Sequence, residues 1–183
     1  MIIGADGLAD GARQVPSPNC DERPAGAEIS LLVLHSISLP PGEYRGDAIE
    51  RLFTNRLEPQ AHPYFRQASA LRVSSHFLVR RDGELVQFVP LAKRAWHAGE
   101  SSWRGRSRCN DFSVGIELEG TDSGPFEAAQ YERLAALVRA VGERLPLRGV
   151  AAHSDIAPGR KTDPGARFDW QRLFATLAAA AAS

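Results

Sequence analysis

The stretch "GVAAHSDIAPGRKTDPG", residues 149–165, gathers His153, Asp155, Lys161 and Asp163 in one segment rich in glycine and proline. A connection between elements needs turn formers, but it has no need of an imidazole, two carboxylates and one of the chain's only two lysines. Imidazole and carboxylate together ligate divalent cations. A further histidine, His35, closes the apolar run "ISLLVLH". Catalytic zinc sites use three protein ligands, usually histidine with a carboxylate or thiolate, and keep a fourth position for water. The set that meets this need is His35, His153 and Asp163, with Zn2+ as the implied cofactor. Asp155 lies nearer to His153 in the chain and competes with Asp163; its plainer role is a turn or a hydrogen bond that orients a ligand.

Amide hydrolysis at such an ion also needs a base for the water's proton and a cation for the oxyanion. "DFSVGIELEG" alternates: Phe112, Val114, Ile116 and Leu118 share one face, while Ser113, Gly115, Glu117 and Glu119 share the other. One face reads as core and the other offers two carboxylates, between which alternation alone does not choose. Lys161, two positions before Asp163, is the candidate cation. Apart from Lys93 every other basic residue is arginine, and lysine is a compact charge whose pKa a site can move.

These residues must be positioned by the elements around them. Ile29 to Ser38 is a short continuous apolar run that predicts a strand buried on both faces, with His35 near its C-terminal end. "GDAIERLF" predicts one or two helical turns. Val73 to Val89 holds two β-rich runs around Asp82-Gly83, the signal for a hairpin with a two-residue turn. Between Glu127 and Pro146 apolar residues recur at Tyr131, Leu134, Val138, Val141 and Leu145, a helical stripe. "RGVAAHSD" reads as a strand ending at His153, and residues 168–183 as a closing helix and tail. In open mixed sheets ligands bind at the C-terminal strand edge, so His35 and His153 converge if their strands are neighbours. Residues 1–28 lack periodicity and read as an irregular surface arm. The fold class expected is mixed α/β, a central mixed β-sheet flanked by helices, in one domain spanning 1–183.

Composition narrows the function. The formal net charge is zero in 183 residues, which gives no field for nucleic acid or an anionic membrane. The N-terminus has neither a basic leader nor an apolar run of signal-peptide length, and the apolar tail is short of a membrane span, so a cytoplasmic location is expected. Cys20 and Cys109 stand in unlike contexts and are expected as free thiols. Among the other histidines, His62 reads as a loop residue, His76 as a hydrogen-bonded structural residue and His97 as a substrate contact. The Arg80-Arg81 pair reads as a solvated edge.

The blocks "LLVLHSISLPPGEY", "QAHPYF", "RAWHAG", "RCNDFSVGIELEGTD" and "HSDIAPGRKTDPG", followed by "FDW", together resemble bacterial cytosolic anhydromuramyl-L-alanine amidases of the AmpD type. The likeness runs from about Val15 to Trp170. It implies a zinc amidase fold related to peptidoglycan-recognition proteins, with His35, His153 and Asp163 as zinc ligands, Glu117 rather than Glu119 as the catalytic acid, and Lys161 beside them. The implied reaction cuts the amide between the lactyl group of 1,6-anhydro-N-acetylmuramic acid and L-alanine in recycled muropeptides, an activity linked indirectly to β-lactamase induction. The implied partner is that small-molecule substrate, with no nucleic acid, membrane or obligate protein partner. Because the fragments are anionic, Arg72, Arg108 and Arg160 are expected to contact them, and Trp96 offers the sugar an apolar face. The family commonly has His-Asn where this chain has His35-Ser36, so a shorter hydroxyl replaces an amide at that substrate contact. Two rivals compete: a module that binds peptidoglycan fragments without cutting, which loss of a ligand would signal, and an exported amidase, which would need a leader peptide.

Overall fold

Both faces of the strand that ends near His35 are covered, and the rest of the chain is arranged around that fact. The computed structural model describes residues 1–181. The chain opens with two short strands, β1 (Arg13–Gln14) and β2 (Cys20–Glu22), before the long strand β3 (Leu31–Ile37). Helices α1 (Ala48–Phe53) and α2 (Phe65–Ala68) lead to strands β4 (Phe77–Val79) and β5 (Leu85–Gln87), then to β6 (Lys93–Ala95) and a small ribbon of β7 (Ser102–Trp103) and β8 (Arg106–Ser107). After a 3-10 turn at Cys109–Asp111 come β9 (Ser113–Glu119), α3 (Ala128–Arg144), β10 (Gly149–Ala152), the single turn α4 (His153–Ile156) and α5 (Trp170–Ala181). The last two positions of the expected closing tail lie outside the described residues.

The main sheet has the order β1-β5-β4-β9-β3-β10. Strands β10, β3, β9 and β4 run parallel, and β5 is antiparallel to β4, so the sheet is mixed as expected. One face carries Leu32, Leu34, Phe77, Val79, Val114, Ile116 and Leu118 against the stripe of α3 and against Leu173 of α5. On the other face two apolar clusters stand apart. Leu78 and Val86 pack on Ile49, Leu52 and Phe53 of α1, while Leu31 and Val33 pack on Ala98, Phe112, Ala151 and Ile156. Between them the same face presents His35, Gly115 and Glu117. That face is therefore not open to solvent: every residue of β9 is buried. Helix α3 is tied to the sheet by Gln130, whose amide donates to the carbonyls of Val79 and Glu119 at 3.2 and 3.1 Å.

Several expectations need correction. The hairpin between β4 and β5 closes at Arg80 and Glu84, where the Arg80 N–H meets the Glu84 carbonyl at 2.9 Å, so its loop has three residues rather than two. Only Gly83 takes a positive φ (86°) there, the arrangement of a hairpin with an αL glycine at its third position. The strand before His153 ends at Ala152, and His153 opens α4. The N-terminal arm is not wholly irregular, since β1 adds to the sheet beside β5 and β2 pairs with β6. It also supplies Arg23, whose part-buried guanidinium donates to the carbonyls of Leu91, Asn110, Asp111 and Ser113 at 2.9–3.3 Å. Burial holds that guanidinium down at about 10.

Arg80 is no solvated edge. It is buried and binds Glu50 at 2.7 Å, Glu119 at 3.0 Å and Glu84 at 3.2 Å. Arg13 of the arm closes the network onto Glu50 and Glu84 at 2.6 and 2.8 Å. The hydrogen bond from Arg13 holds the Glu50 carboxyl below its ordinary 4.5; burial opposes this and Arg80 adds to it. A depressed carboxylate contributes stability above its ordinary pKa, and that contribution disappears as pH falls through the folded value. Glu50→Gln is accordingly expected to lower the unfolding midpoint at neutral pH, with the gap to the unmodified protein shrinking as pH drops below 4.5. A gap of constant size across thermal melts from neutral to acid pH would contradict the role given to this network.

Candidate active site

The register of the sheet brings the candidate residues together. His35 on β3 sits opposite Glu117 on β9, and Ala152 on β10 sits opposite Leu34, so His153 leaves the sheet beside His35 at the C-terminal edge. Asp163 returns from the loop after α4 through a backbone bond from Ser154 N–H to the Asp163 carbonyl at 3.1 Å. The turn after β9 braces this loop, with the Thr162 hydroxyl donating to Asp122 at 2.5 Å. Gly165, at φ 89°, approaches so closely that a Cβ there would lie 1.9 Å from the Asp122 carbonyl oxygen. Gly165 thus serves close approach, whereas Gly159 turns the chain at a positive φ of 77° with open space around it.

His35 Nδ1 lies 2.9 Å from His153 Nδ1, His153 Nδ1 lies 3.0 Å from Asp163 Oδ2, and His35 Nδ1 lies 3.3 Å from the same oxygen. Zinc bonds of about 2.0–2.1 Å at tetrahedral angles set ligand atoms ~3.3–3.4 Å apart. This triangle is at that spacing or slightly inside it, and two imidazole nitrogens with one carboxylate oxygen are a donor set that zinc favours. The three residues fit a metal ion and form the group of described residues able to hold one. Burial pushes His35 down to about 4 against the pull of Asp163. Burial acts to raise the Asp163 carboxyl, but its contacts with the His153 and His35 imidazoles outweigh it and hold the group below its ordinary range. His35 therefore tends to the neutral form and the Asp163 carboxyl to the anion, the states that coordinate metals.

Glu117 stands at the same edge. It is buried, and its Oε2 has no hydrogen-bond partner. Burial raises its pKa well above the usual carboxylate range, the charge of Asp163 adds to that, and Lys161 opposes it. Glu119 is spent elsewhere, accepting from Arg80 at 3.0 Å and from the backbone N–H groups of Arg45 and Arg81 at 2.8 and 3.2 Å. The structure thereby separates two glutamates that alternation could not.

A cavity of about 470 Å3 opens over the triangle, with Ser36, Trp96, His97, Glu117, Arg160 and Lys161 in its wall. Arg72 and Arg108, expected at the substrate, are not among its lining residues. Arg72 turns back to the carbonyls of Ser69 and Leu71, both at 3.1 Å, and the exposed Arg108 binds Asp111 at 3.2 Å. Arg160 spends hydrogen bonds on the carbonyls of Ala98 and Glu100 at 2.6 and 2.5 Å. His97 is also engaged: its Nδ1 meets His35 Nε2 at 2.9 Å and its Nε2 meets the Ser113 hydroxyl at 3.1 Å, which leaves no ring nitrogen for a substrate. Burial and the neighbouring His35 and His76 push its pKa well below the usual value.

His76 has the structural role expected of it: Nδ1 accepts from Gly115 N–H at 3.0 Å and Nε2 meets the Lys93 carbonyl at 3.1 Å. Asp155 accepts from Ala152 N–H at 2.8 Å, a turn contact. Sequence reasoning missed the Ala98 carbonyl, 3.2 Å from His153 Nε2. It also missed Asn110, whose side-chain oxygen accepts from the N–H groups of His97 and Ala98 at 3.2 and 2.8 Å. Carbonyl partners leave no mark in a sequence. The only signal was an asparagine beside the strand that carries Glu117.

Residues 25–166 match the N-acetylmuramoyl-L-alanine amidase family. The chain belongs to that family. Among its relatives, the 1,6-anhydro-N-acetylmuramyl-L-alanine amidase AmpD of Escherichia coli (strain K12) is 58% identical over 165 residues, 89% of this chain and 90% of that protein. A crystal structure of a selenomethionine AmpD derivative superposes with a TM-score of 0.94 at 55% identity, covering 97% of this chain and 99% of that one. The amidase AmiD from E. coli, solved with anhydro-N-acetylmuramic acid-L-Ala-D-γ-Glu-L-Lys as its substrate, matches with a TM-score of 0.60 at 33% identity over 85% of this chain and 60% of that one.

The triangle predicts a metal site that depends on all three ligands. Asp163→Ala is expected to weaken zinc binding by more than the ~10–100-fold that loss of an outer partner costs, measured by competition with a chromogenic chelator. Equal affinity in the variant and the unmodified protein would contradict the site.

Proposed function

We propose that this chain is a zinc-dependent amidase that hydrolyses the amide joining the lactyl group of 1,6-anhydro-N-acetylmuramic acid to L-alanine in recycled cell-wall muropeptides. One observation carries the reading: a preformed triangle of His35, His153 and Asp163 beside a buried glutamate with an unpartnered oxygen. The high identity to AmpD enzymes supports the substrate. A zinc ion held by the triangle would lend Lewis acidity to a substrate carbonyl and to water.

The chain's own residues supply the rest. Glu117 in its ionised form takes a proton from the attacking water and hands it to the nitrogen of L-alanine as the C–N bond breaks. Its raised pKa suits it to both transfers. The Lys161 ammonium, in the cavity wall, offsets charge on the carbonyl oxygen as the tetrahedral intermediate forms. Trp96 and Ser36 are assigned to the sugar and peptide, and Arg160 to the anionic fragment. We assign the activity to one catalytic domain working in the cytoplasm on a small-molecule substrate. Binding without cutting is disfavoured by Glu117 itself: a desolvated carboxyl with an unsatisfied oxygen costs stability, and a passive binder gains nothing from it. No helix among the described residues is long and apolar enough to cross a membrane.

The test is turnover of anhydromuramyl-tripeptide with and without a chelator, following release of free peptide. Glu117→Gln is expected to lower kcat by ~10²–10⁴-fold with zinc still bound, and Lys161→Met is expected to lower kcat more than it raises KM. Near-normal turnover in Glu117→Gln would overturn its assignment, and chelator-resistant activity would overturn the metal.

A further inference from the structure

A neutral imidazole has one N–H, and a metal can use only the nitrogen that lacks it. His35 faces the triangle through Nδ1, so its proton must reside on Nε2. Nothing in the triangle enforces this, because Asp163, 3.3 Å from Nδ1, would as readily accept a proton placed there. We propose that His97 is a positioning residue that selects the metal-binding tautomer of His35, through a one-way hydrogen-bond chain anchored on the backbone carbonyl of Cys109.

The direction of the chain follows link by link from its far end. The Cys109 carbonyl can only accept, and the Ser113 hydroxyl lies 2.6 Å from it, so Ser113 donates its single proton there. Ser113 Oγ can then only accept from His97 Nε2 at 3.1 Å, which puts the proton of the neutral His97 ring on Nε2. His97 Nδ1, left with a lone pair, accepts from His35 Nε2 at 2.9 Å. Nδ1 of His35 is then bare and faces Asp163 and His153. For the second histidine a carbonyl does the same work, since Ala98 accepts from His153 Nε2 at 3.2 Å. Adjacent residues of one segment, pinned by Asn110, thus serve both imidazoles.

A separate observation shows that the fold makes room for the His97 ring. Gly115 sits inside β9 on the site face, and a Cβ there would lie 2.5 Å from His97 Cγ and 2.7 Å from His97 Nδ1. Gly115 is not among the residues with positive φ, so its backbone conformation does not demand glycine. The imidazole stacked on it does. Glycine in a strand interior commonly marks such a close approach.

The inference rests on the metal reading above, and its test separates the two. Zinc affinity is measured by chelator competition on the full chain for the unmodified protein, His97→Leu and His97→Asn, with unfolding midpoints recorded for each. The asparagine carbonyl can replace Nδ1 as acceptor, whereas leucine fills space without accepting. His97→Leu is expected to bind zinc ~10–100-fold more weakly and His97→Asn within about threefold of the unmodified protein. Gly115→Ala, by displacing the ring, is expected to follow His97→Leu. Nitrogen-15 NMR of the metal-free protein is expected to find the His35 proton on Nε2, and to find it shared between both nitrogens in His97→Leu. Undiminished affinity in His97→Leu overturns the proposal, as do equal losses in both variants, which would reduce His97 to packing, or a His35 proton found on Nδ1. An unmodified protein without zinc affinity sinks the metal reading instead, and the NMR result still decides the tautomer.

Discussion

Two imidazoles and a carboxylate within 3.3 Å of one another at a buried sheet edge form an arrangement that water would otherwise dissolve. Desolvating such groups costs several kcal/mol unless each finds a partner, and much of this structure supplies partners. Parallel pairing of β10, β3 and β9 sets the two histidines and Glu117 side by side. The apolar clusters on either side then deny them solvent. At this edge one oxygen of Glu117 has no partner, and the Nδ1 atoms of the two histidines meet only each other and Asp163. That is the pattern expected of a site that keeps its bonding capacity for an ion and a reactant.

The same economy explains where the other charges go. Arg80, Glu119, Glu50 and Arg13 neutralise one another on the β4 side of β9, so the second glutamate of "GIELEG" fixes the sheet to α1 and to the N-terminal arm and does not join the triangle. Arg23 caps the carbonyls around the start of β9, where Ser113 anchors the chain leading to His35. Charges that look alike in composition are thus divided between holding β9 in place and acting at its end.

The elements that position the ligands were legible because their signals are local. A run of apolar residues ending in histidine reads as a doubly covered strand, a helical stripe closed by Pro146 reads as α3, and Asp82-Gly83 marks a hairpin even though the length of its turn depends on strand registry. Features set by distant partners were not legible. Strands of two or three residues in the N-terminal arm carry no period and exist because β5 and β6 accept them. Arg80 reads as surface until Glu50 and Glu119 are brought to it. His97 reads as a substrate residue until the fold places it against His35 and Ser113. Arg72 and Arg108 were placed by charge alone, and charge does not say which way a side chain turns.

The central claim is that His35 and His153, each through Nδ1, converge with Asp163 on one metal ion. Crystals of the protein grown with zinc, measured on both sides of the zinc absorption edge, test this most directly. The account predicts a single anomalous peak about 2.0–2.2 Å from His35 Nδ1, His153 Nδ1 and an Asp163 oxygen. A peak bound through Nε2 of either histidine, a peak on Asp155 in place of Asp163, or no peak at all in zinc-replete crystals would contradict it.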